Sequence, residues 1–490
     1  MREVYFGLDV GTSSTKAVLV DREGVVVAQA VREHRVDRPG PGIVEMDGSI
    51  WWDEFVSLAH ELTATPGVSV AAVGVSGMGP CVQLVDEAGE CVTPSALYGV
   101  DMRATTEIDE LDAELGRDAI FERCDSYLTT QAAGPKFRWF ARHRPEAYAR
   151  ARRFHMPASL LVERLTGEYV LDRQSASQCT PLYDAGTQEW HQPWADVVAP
   201  GIELPRLAWA GDRAGVISDA AAAVVPGLRA GTPVTVGTID AWAEGLSVGA
   251  VRAGDLMLMY GTTMFLVGNT TQRVQHPAMW GTTGLAAGQY NLAGGMATSG
   301  AITGWLRDLT GADYGTLSAE AAAAGAGANG LLMLPYFAGE RTPIFDPDAR
   351  GTVIGLTLSH TRGDLYRAAL EATAFGIRHN VEVYADAGVA LERVVAVGGG
   401  TAGSLWPQIV TDVTGLPQVM PEKTVGASYG DAYLAARLLD DSVDIDAWNP
   451  PVSVLEPAAS GIYDELYGHY RALYPATRDV QHALAAFQRG

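Results

Sequence analysis

Residues 8–16 read LDVGTSSTK, and residues 258–263 read LMYGTT. Each stretch ends an apolar, β-prone run, passes through a Gly-Thr pair and leads into a second apolar run, at 17–20 or 264–267. This pattern predicts a strand, a tight turn and a second strand. Because the module occurs twice, we expect an α/β protein with two domains of similar build, each a mixed sheet with helices packed on it.

The chain around the two modules supports this division. Residues 4–8, 17–20 and 25–31 predict an antiparallel meander, 51–64 a helix and 70–75 a buried strand, whereas 104–230 is mostly helical in pattern. Strands at 255–260 and 394–397 and a long helix at 363–386 follow. We therefore expect an N-terminal domain at 1–246 and a C-terminal domain at 247–490, which meet near residue 245.

Composition excludes several classes of protein. The 490 residues carry a net charge of −23, which argues against nucleic acid as a partner. The four cysteines show no C-x-x-C spacing, so neither a zinc site nor a disulfide scaffold is expected. No apolar run approaches the roughly 20 residues of a membrane span, and the N-terminus lacks a signal-peptide pattern. We expect a cytoplasmic protein without membrane or nucleic-acid partners.

The two Gly-Thr turns are candidate phosphate-binding hairpins. Successive N–H and hydroxyl groups at Thr12, Ser13 and Ser14 would point at one spot, with Lys16 in reach of a phosphate. Asp9, at the strand end, could hold Mg²⁺. An ordinary polar hairpin is the alternative for either turn alone, but two facing turns at Gly11-Thr12 and Gly261-Thr262 would form a clamp. The first is not a Walker A loop, since no glycine precedes Lys16.

Asp240 is the candidate general base. It follows a predicted strand and begins a helix of small residues, so it is either an N-cap or a carboxylate that faces the cleft and accepts a proton from a hydroxyl.

The segment 397–406, VGGGTAGSLW, follows another buried strand, and its glycines would let an adenine lie close to the backbone. A Rossmann fingerprint, and with it an NAD-dependent dehydrogenase, is disfavoured because the G-x-G-x-x-G spacing is missing.

Three further segments are candidates for the substrate side. Residues 76–80 follow a buried strand, where ligands commonly bind, and Asp101 with Arg103 could contact polyol hydroxyls or form a surface ion pair. The segment 334–343, LPYFAGERTP, reads as a rigid loop over the cleft, for which we expect a structural role with an indirect effect on the site.

These motifs together resemble the FGGY family of carbohydrate kinases, within the actin-like (ribonuclease H-like) superfamily, and among them the xylulokinases most. The resemblance implies two domains around a central cleft, ATP and Mg²⁺ as cofactors, and a small-molecule sugar substrate; a homodimer is left open. It implies that Asp240 is the catalytic base, that Asp9 and Asp240 lie at the metal, and that Asp240 also contacts the sugar. The implied nucleotide contacts are Thr12, Ser13, Ser14, Lys16, Gly261, Thr262, Gly300, Gly304, Gly400, Thr401 and Ser404, and the implied sugar contacts are Met78, Gly79, Pro80, Asp101 and Arg103.

The chain departs from the xylulokinase pattern on the sugar side. Pro80 stands where the family has a histidine, Thr238-Ile239-Asp240-Ala241 replaces Gly-Gly-Asp-Asn, and residues 98–103, YGVDMR, replace Trp-Asn-Asp-Gly-Arg. We therefore expect a sugar kinase for a pentulose or related ketose, with ribulose, gluconate, erythritol or glycerol as alternative substrates. A non-catalytic actin-like ATPase is the alternative from another class, and Asp240 and Asp101 argue against it.

Overall fold

The two Gly-Thr modules lie at the centres of two sheets. The computed structural model describes residues 1–458 and 461–489. A hydrogen bond of 3.0 Å from the Gly11 N–H to the Ser14 carbonyl closes the first turn, and one of 3.1 Å from the Gly261 N–H to the Thr263 carbonyl closes the second. The strands on either side of each turn pair antiparallel. Both predicted hairpins are confirmed.

Each sheet has seven strands. In spatial order the first consists of Arg213–Val216, Pro233–Thr235, Val68–Gly77, Arg2–Val10, Ser14–Asp21 and Val26–Glu33, with Thr238–Ile239 paired to Val68–Gly77. The second consists of Trp280–Thr283, Tyr290–Met296, Met264–Thr270, Asp255–Tyr260, Arg393–Val397, Gln418–Pro421 and Pro451–Leu455.

The two sheets share one plan. In each, three antiparallel strands are extended at one edge by two strands parallel to the first of them, and an antiparallel strand closes that edge. In the second sheet a fourth antiparallel strand, Trp280–Thr283, pairs with Tyr290–Met296 at the opposite edge. The repeated sequence module is thus the core of a repeated domain, and the predicted two-domain α/β architecture is confirmed.

Helices cover the sheets and connect their strands. In the first half they are Ser49–Thr63, Thr105–Leu111, Arg117–Cys124, Gly134–His143, Pro145–Arg150, Pro157–Thr166, Arg173–Ser177, Gln192–Val198, Asp219–Val224 and Asp240–Ser247, with a π-helical turn at Asp112–Gly116. In the second half they are Gly300–Thr310, Tyr314–Ala324, Arg362–Asp386, Leu405–Thr414, Ala427–Arg437, Ile445–Trp448 and Gly461–Arg489, with 3₁₀ turns at Ala328–Gly330 and Gly399–Ala402.

Short strand pairs complete the peripheral structure. They are Asp37–Gly40 with Ile43–Met46 and Ser95–Ala96, Gln83–Val85 with Arg153–His155, Val170–Asp172 with Arg206–Ala208, Tyr183–Asp184 with Glu189–Trp190, and Leu332–Leu334 with Thr352–Ile354. Several of them lie in the 104–230 region, which is therefore less helical than its sequence pattern indicated.

The helix Ala427–Arg437, called here the Asp431 helix, packs on the first sheet although it comes from the second half of the chain. A Cβ on Gly7 would lie 1.9 Å from the Ser428 carbonyl oxygen, and one on Gly74 2.0 Å from the Asp431 carbonyl oxygen. Only glycine at these two strand positions lets the helix backbone come so close. The expected boundary at residue 246 falls inside the helix Asp240–Ser247, called here the Asp240 helix, and stays a prediction.

The two helices just named cross at Gly430, where a Cβ would lie 2.1 Å from the Ala243 carbonyl oxygen. This crossing brings the start of each helix to the same end of the first sheet. None of the helices in the described part of the chain combines the length and the apolar composition that a bilayer crossing requires.

Candidate active site

A cavity of about 430 Å³ lies where the two halves of the chain meet. Its lining from the first half includes Asp9, Gly79, Tyr98, Gln131, Asp240 and Glu244, and its lining from the second half includes Gly261, Thr263, Arg341, Gly398, Gly399 and Ala427. The cavity has the size and the mixed polar and aromatic lining of a small-molecule site.

Asp240 reaches this cavity through a strand, a turn and a helix start. Thr238 and Ile239 pair with Ser76 and Gly77 at the edge of the first sheet, and the helix begins at Asp240. The backbone at Gly237 has φ of 78°, and a Cβ there would lie 2.2 Å from the Val75 carbonyl oxygen. A glycine is therefore required to turn the chain towards the cavity.

The electrostatics of Asp240 suit a proton acceptor. Its carboxylate accepts a hydrogen bond of 2.7 Å from the Ala241 N–H. Desolvation by the surrounding protein raises the pKa of the Asp240 carboxyl to about 6, against the lowering effect of that hydrogen bond. A carboxylate with this pKa is ionised at neutral pH and is a stronger base than an exposed aspartate. The predicted role of Asp240 has the geometry it needs and stays a prediction.

Further carboxyl groups lie close to Asp240. Burial, followed by the negative charges of Asp240 and Glu244, holds the pKa of Asp9 well above its usual range. Burial likewise raises the pKa of Glu244 to about 7, although the Lys16 ammonium opposes the rise. Asp431 is fully buried next to Asp9, and burial and the charge of Asp9 raise its pKa. The raised pKa values show that these buried carboxyl groups resist ionising together, and a bound cation would favour their ionised forms.

The first hairpin presents its polar groups beside this cluster. Asp9 and Lys16 face each other across the strand pair, and the Lys16 ammonium donates a hydrogen bond of 3.0 Å to the Val425 carbonyl. The hydroxyls of Thr12 and Tyr98 are 3.0 Å apart. Ser13 is exposed and Ser14 is half-buried. The structure thus brings the lysine and the hydroxyls of the hairpin to the cavity end of the sheet.

The second hairpin and the glycine-rich turn form the opposite wall. Gly261 and Thr263 line the cavity, and Thr262 is exposed. The Gly300 N–H donates to the Gly261 carbonyl at 3.0 Å, so the predicted contact residue Gly300 supports the turn from behind. Gly304 lies on the next turn of the same helix, beside Tyr314.

Gly398 and Gly399 line the cavity directly after the strand Arg393–Val397. At Gly398, φ is 95° and a Cβ would lie 2.6 Å from the Tyr260 carbonyl oxygen, so a glycine is required. Thr401 donates its hydroxyl to the Gly398 carbonyl at 2.7 Å. None of the three expected contacts in this turn lines the cavity: Thr401 lies on the Gly398 carbonyl, Gly400 packs near Trp406, and Ser404 is exposed.

On the sugar side, only one of the three residues of the Met78-Gly79-Pro80 segment lines the cavity. Gly79 does so, whereas Met78 and Pro80 are buried behind it. The Met78 N–H donates to the Val10 carbonyl at 2.8 Å, which fixes the segment against the first hairpin strand. The Gln131 amide donates to the Gly79 carbonyl at 3.3 Å. Gln131 lines the cavity beside Tyr98 and supplies polar groups that sequence reasoning missed.

Asp101 and Arg103 do not line this cavity. Arg103 forms an ion pair of 2.8 Å with Asp101 and another of 2.9 Å with Glu45, and both partners of the first pair are buried. Asp101 also accepts a hydrogen bond of 2.7 Å from the Val44 N–H. The Arg103 guanidinium lies 4.8 Å from the ring centre of Trp139. These contacts occupy both side chains, so the structure does not bring them together with Asp240.

Glu244 and Arg341 also line the cavity and were not among the expected site residues. Glu244 lies one helical turn after Asp240, a spacing that places two side chains on one face of a helix and could have revealed it. Arg341 belongs to the segment expected to have a structural role. Its position in the cavity depends on long-range packing, which no local pattern indicates.

A magnesium ion fits this donor set only together with substrate oxygens. Within residues 1–458 and 461–489, no group of three or more His, Cys, Asp and Glu side chains is arranged to hold a metal. Mg²⁺ is commonly bound by one or two carboxylates plus phosphate oxygens and waters. Asp9 and Asp240, both on the cavity, match that need.

Two Gly-Thr turns, a glycine-rich cavity wall and a carboxylate on the cavity match the class expected from the sequence, an α/β phosphotransferase with an actin-like pair of domains. Family models of the FGGY carbohydrate kinases match residues 4–246 with their N-terminal domain and 256–439 with their C-terminal domain. The chain belongs to the FGGY family of carbohydrate kinases. The resemblance, the fold class and the enzyme class expected from the sequence are thereby confirmed.

The names of similar proteins give different substrates. The chain is 28% identical to a xylulose kinase of Escherichia coli (strain K12), with 92% of each protein covered. It is 31% identical to a glycerol kinase of Nocardia farcinica (strain IFM 10152), with 89% of this chain and 90% of that protein covered. The crystal structure of a xylulose kinase from Rhodospirillum rubrum is 33% identical and superposes with a TM-score of 0.91, covering 98% of this chain and 100% of that one.

Proposed function

We propose that this enzyme transfers the γ-phosphate of ATP to a hydroxyl of a pentulose or a related small ketose or polyol. The observation that carries the proposal is the position of Asp240, whose carboxylate faces a cavity built from both halves of the chain. The cavity has hydroxyl and amide groups at one end, from Tyr98 and Gln131, and glycine backbone at the other, from Gly398 and Gly399. A sugar fits the first end and a nucleotide the second.

In this reaction Asp240 accepts the proton of the attacking hydroxyl as the oxygen approaches the γ-phosphorus. Asp9 and Asp240 would hold Mg²⁺, which neutralises phosphate charge when it is bound. The two hairpins would offer N–H and hydroxyl donors to the phosphates, and Lys16 a positive charge. Ala427, the first residue of the Asp431 helix, also lines the cavity, so that helix directs the positive end of its dipole at the same region.

The substrate panel is the direct test. Purified enzyme with ATP and Mg²⁺ is offered D-xylulose, D-ribulose, glycerol, erythritol and gluconate, and ADP release is measured for each. We expect sugar-stimulated ADP release with at least one ketose, and the Asp240→Asn variant should abolish most of that stimulation. Stimulation by glycerol alone would reassign the enzyme to glycerol. ATP turnover that no compound of the panel stimulates would contradict the proposed substrate class.

A further inference from the structure

The charges that line the cavity are unevenly distributed. Three carboxyl groups, Asp9, Asp240 and Glu244, face it. Among the lining residues in the described part of the chain, Arg341 is the single basic residue. A nucleoside triphosphate adds several negative charges to this space, and in the transition state the charge of the transferred phosphoryl group is spread over its three equatorial oxygens.

The Arg341 guanidinium has no partner within residues 1–458 and 461–489. It takes part in no ion pair there, and its hydrogen bonds in that region involve only its backbone groups, with Glu340 and Phe345. The buried Arg103 side chain, by comparison, forms ion pairs with Asp101 and Glu45. A half-buried cation without a counter-charge is unfavourable unless a ligand supplies that charge.

The loop that carries Arg341 is held rigidly from both sides. The preceding Glu340 is buried and accepts 2.7 Å hydrogen bonds from the N–H groups of Ala297 and Arg341 itself. On the other side, the Thr342 hydroxyl accepts a hydrogen bond of 2.7 Å from the Gly295 N–H and donates one of 2.6 Å to Asn380. The backbone of Arg341 is therefore fixed, and its side chain remains available to contact a ligand.

The loop is fixed a second time by the C-terminal helix Gly461–Arg489. Glu340 and Asp346 exchange backbone hydrogen bonds of 2.8 and 3.0 Å. Asp346 in turn binds the His482 imidazole at 2.6 Å and accepts the Tyr474 hydroxyl. These contacts fix the backbone of Arg341 whatever the cavity contains, so its guanidinium enters the cavity from a fixed attachment point.

Arg341 lines the same cavity as Tyr98, which belongs to the first half of the chain. Burial raises the pKa of the Tyr98 phenol, and the positive charge of Arg341 opposes this rise less strongly than the hydrogen bond with Thr12 does. The Tyr98 hydroxyl is 3.0 Å from that of Thr12, in the first Gly-Thr turn. Arg341 thus shares the cavity with Tyr98, the residue that connects the cavity to the first Gly-Thr turn.

We propose that Arg341 binds the phosphoryl group during its transfer. In the step, a bond forms between the substrate oxygen and the γ-phosphorus, and the bond from that phosphorus to the β,γ-bridging oxygen breaks. The hydroxyl proton passes to Asp240, and ADP leaves with the electron pair. The planar guanidinium donates two N–H groups to the non-bridging oxygens, over which the charge of the transition state is spread.

The test compares Arg341→Gln and Arg341→Lys with Arg478→Gln, which removes an exposed arginine of the C-terminal helix. With the best acceptor of the panel, we expect Arg341→Gln to lower kcat by on the order of 10²–10³-fold. The KM values of ATP and of the acceptor should change by less than about threefold, which is small compared with the expected loss in kcat. Arg341→Lys should regain part of the loss, because it restores charge without the planar fork. Arg478→Gln should match the wild type.

Two further measurements separate this role from a structural one. Added guanidinium should partly restore turnover to Arg341→Ala in a saturable manner, which repair of folding would not produce. The slow hydrolysis of ATP without acceptor should also fall in Arg341→Gln, and this readout does not depend on the identity of the sugar. A kcat within threefold of the wild type, or a loss confined to the KM of the acceptor, would overturn the proposal.

Discussion

The Ser76 hydroxyl donates a hydrogen bond of 2.7 Å to Asp431, a residue 355 positions later in the chain. It also lies 3.2 Å from the Asp9 carboxylate. A hydroxyl has one hydrogen, so both contacts are hydrogen bonds at once only when one of the two carboxyl groups is protonated and donates to the Ser76 oxygen. The raised pKa values of Asp9 and Asp431 fit such sharing. Ser76 thus links the hairpin strand to the Asp431 helix through two hydrogen bonds.

The first prediction concerns the stability of this pair. Because burial raises the pKa of Asp431 above its usual 3.8, the folded protein holds the ionised carboxylate at a cost. That cost is absent below the unfolded pKa of 3.8 and grows as the pH rises towards the raised folded value. Asp431→Asn should therefore melt at a higher temperature than the wild type at pH 8, with a difference that shrinks at pH 5. Equal shifts at both pH values would contradict the linkage.

The second prediction concerns the helix crossing. Gly430→Ala should lower the melting temperature and the activity together, because its Cβ would lie 2.1 Å from the Ala243 carbonyl oxygen on the Asp240 helix. The matched control is Gly468→Ala, in the C-terminal helix, where a Cβ meets nothing within 4 Å. That variant should be stabilised by roughly 0.4–1 kcal/mol through the unfolded chain. Thermal unfolding of both measures the effect.

The local sequence pattern predicted both hairpins and the Asp240 turn. Each of these features depends on only a few neighbouring residues: a strand followed by Gly-Thr in the hairpins, and a glycine shortly before a helix at Asp240. It did not predict the packing of the Asp431 helix on the first sheet. The need for glycine at Gly7 and Gly74 becomes visible only in the fold, where the helix backbone lies against both positions. Asp101 and Arg103 look like ligand groups in sequence, and only the fold reveals that Glu45 and the Val44 N–H occupy them.

The third prediction tests the base. Asp240→Asn should lower kcat by roughly 10²–10⁴-fold, the contribution typical of a general base, while ADP binding changes little. Asp308→Asn, which alters an exposed carboxylate paired with its neighbour Arg307, is the control and should keep full turnover. Single-turnover ADP formation and calorimetric ADP binding give the two readouts. A variant that keeps more than about a tenth of the turnover, far above the range for a lost base, would contradict the assignment.

The fourth prediction follows from the pKa of the same carboxyl. Asp240 acts as a base only when ionised, and its pKa is raised to about 6. The value of kcat/KM should therefore be constant above that pH and fall tenfold per unit well below it. An exposed aspartate would place the fall near pH 4, its usual pKa being about 3.9. A plateau that extends down to pH 5 would show that Asp240 does not limit the reaction.

The fifth prediction concerns substrate choice at Pro80, which stands where xylulokinases have a histidine. Pro80 is buried behind Gly79 and has no hydrogen-bonding side chain. We expect that D-xylulose is not uniquely preferred and that another ketose or polyol matches its kcat/KM. Pro80→His should raise the value for D-xylulose relative to that competitor by roughly fivefold to tenfold, the effect of one hydrogen bond of about 1 kcal/mol.

The control for this variant is Pro80→Leu, which removes the proline ring without adding a donor or acceptor. It should leave the ratio of the two kcat/KM values unchanged, because the apolar side chain offers the sugar no new contact. An equal gain in both variants would attribute the effect to the altered backbone at Gly79, which lines the cavity, and not to a restored hydrogen bond. A wild-type enzyme strongly selective for D-xylulose would show that another group, such as Gln131, already performs the task of the missing histidine. Gln131→Leu would then remove that selectivity while the glycine-walled nucleotide end kept its affinity for ADP.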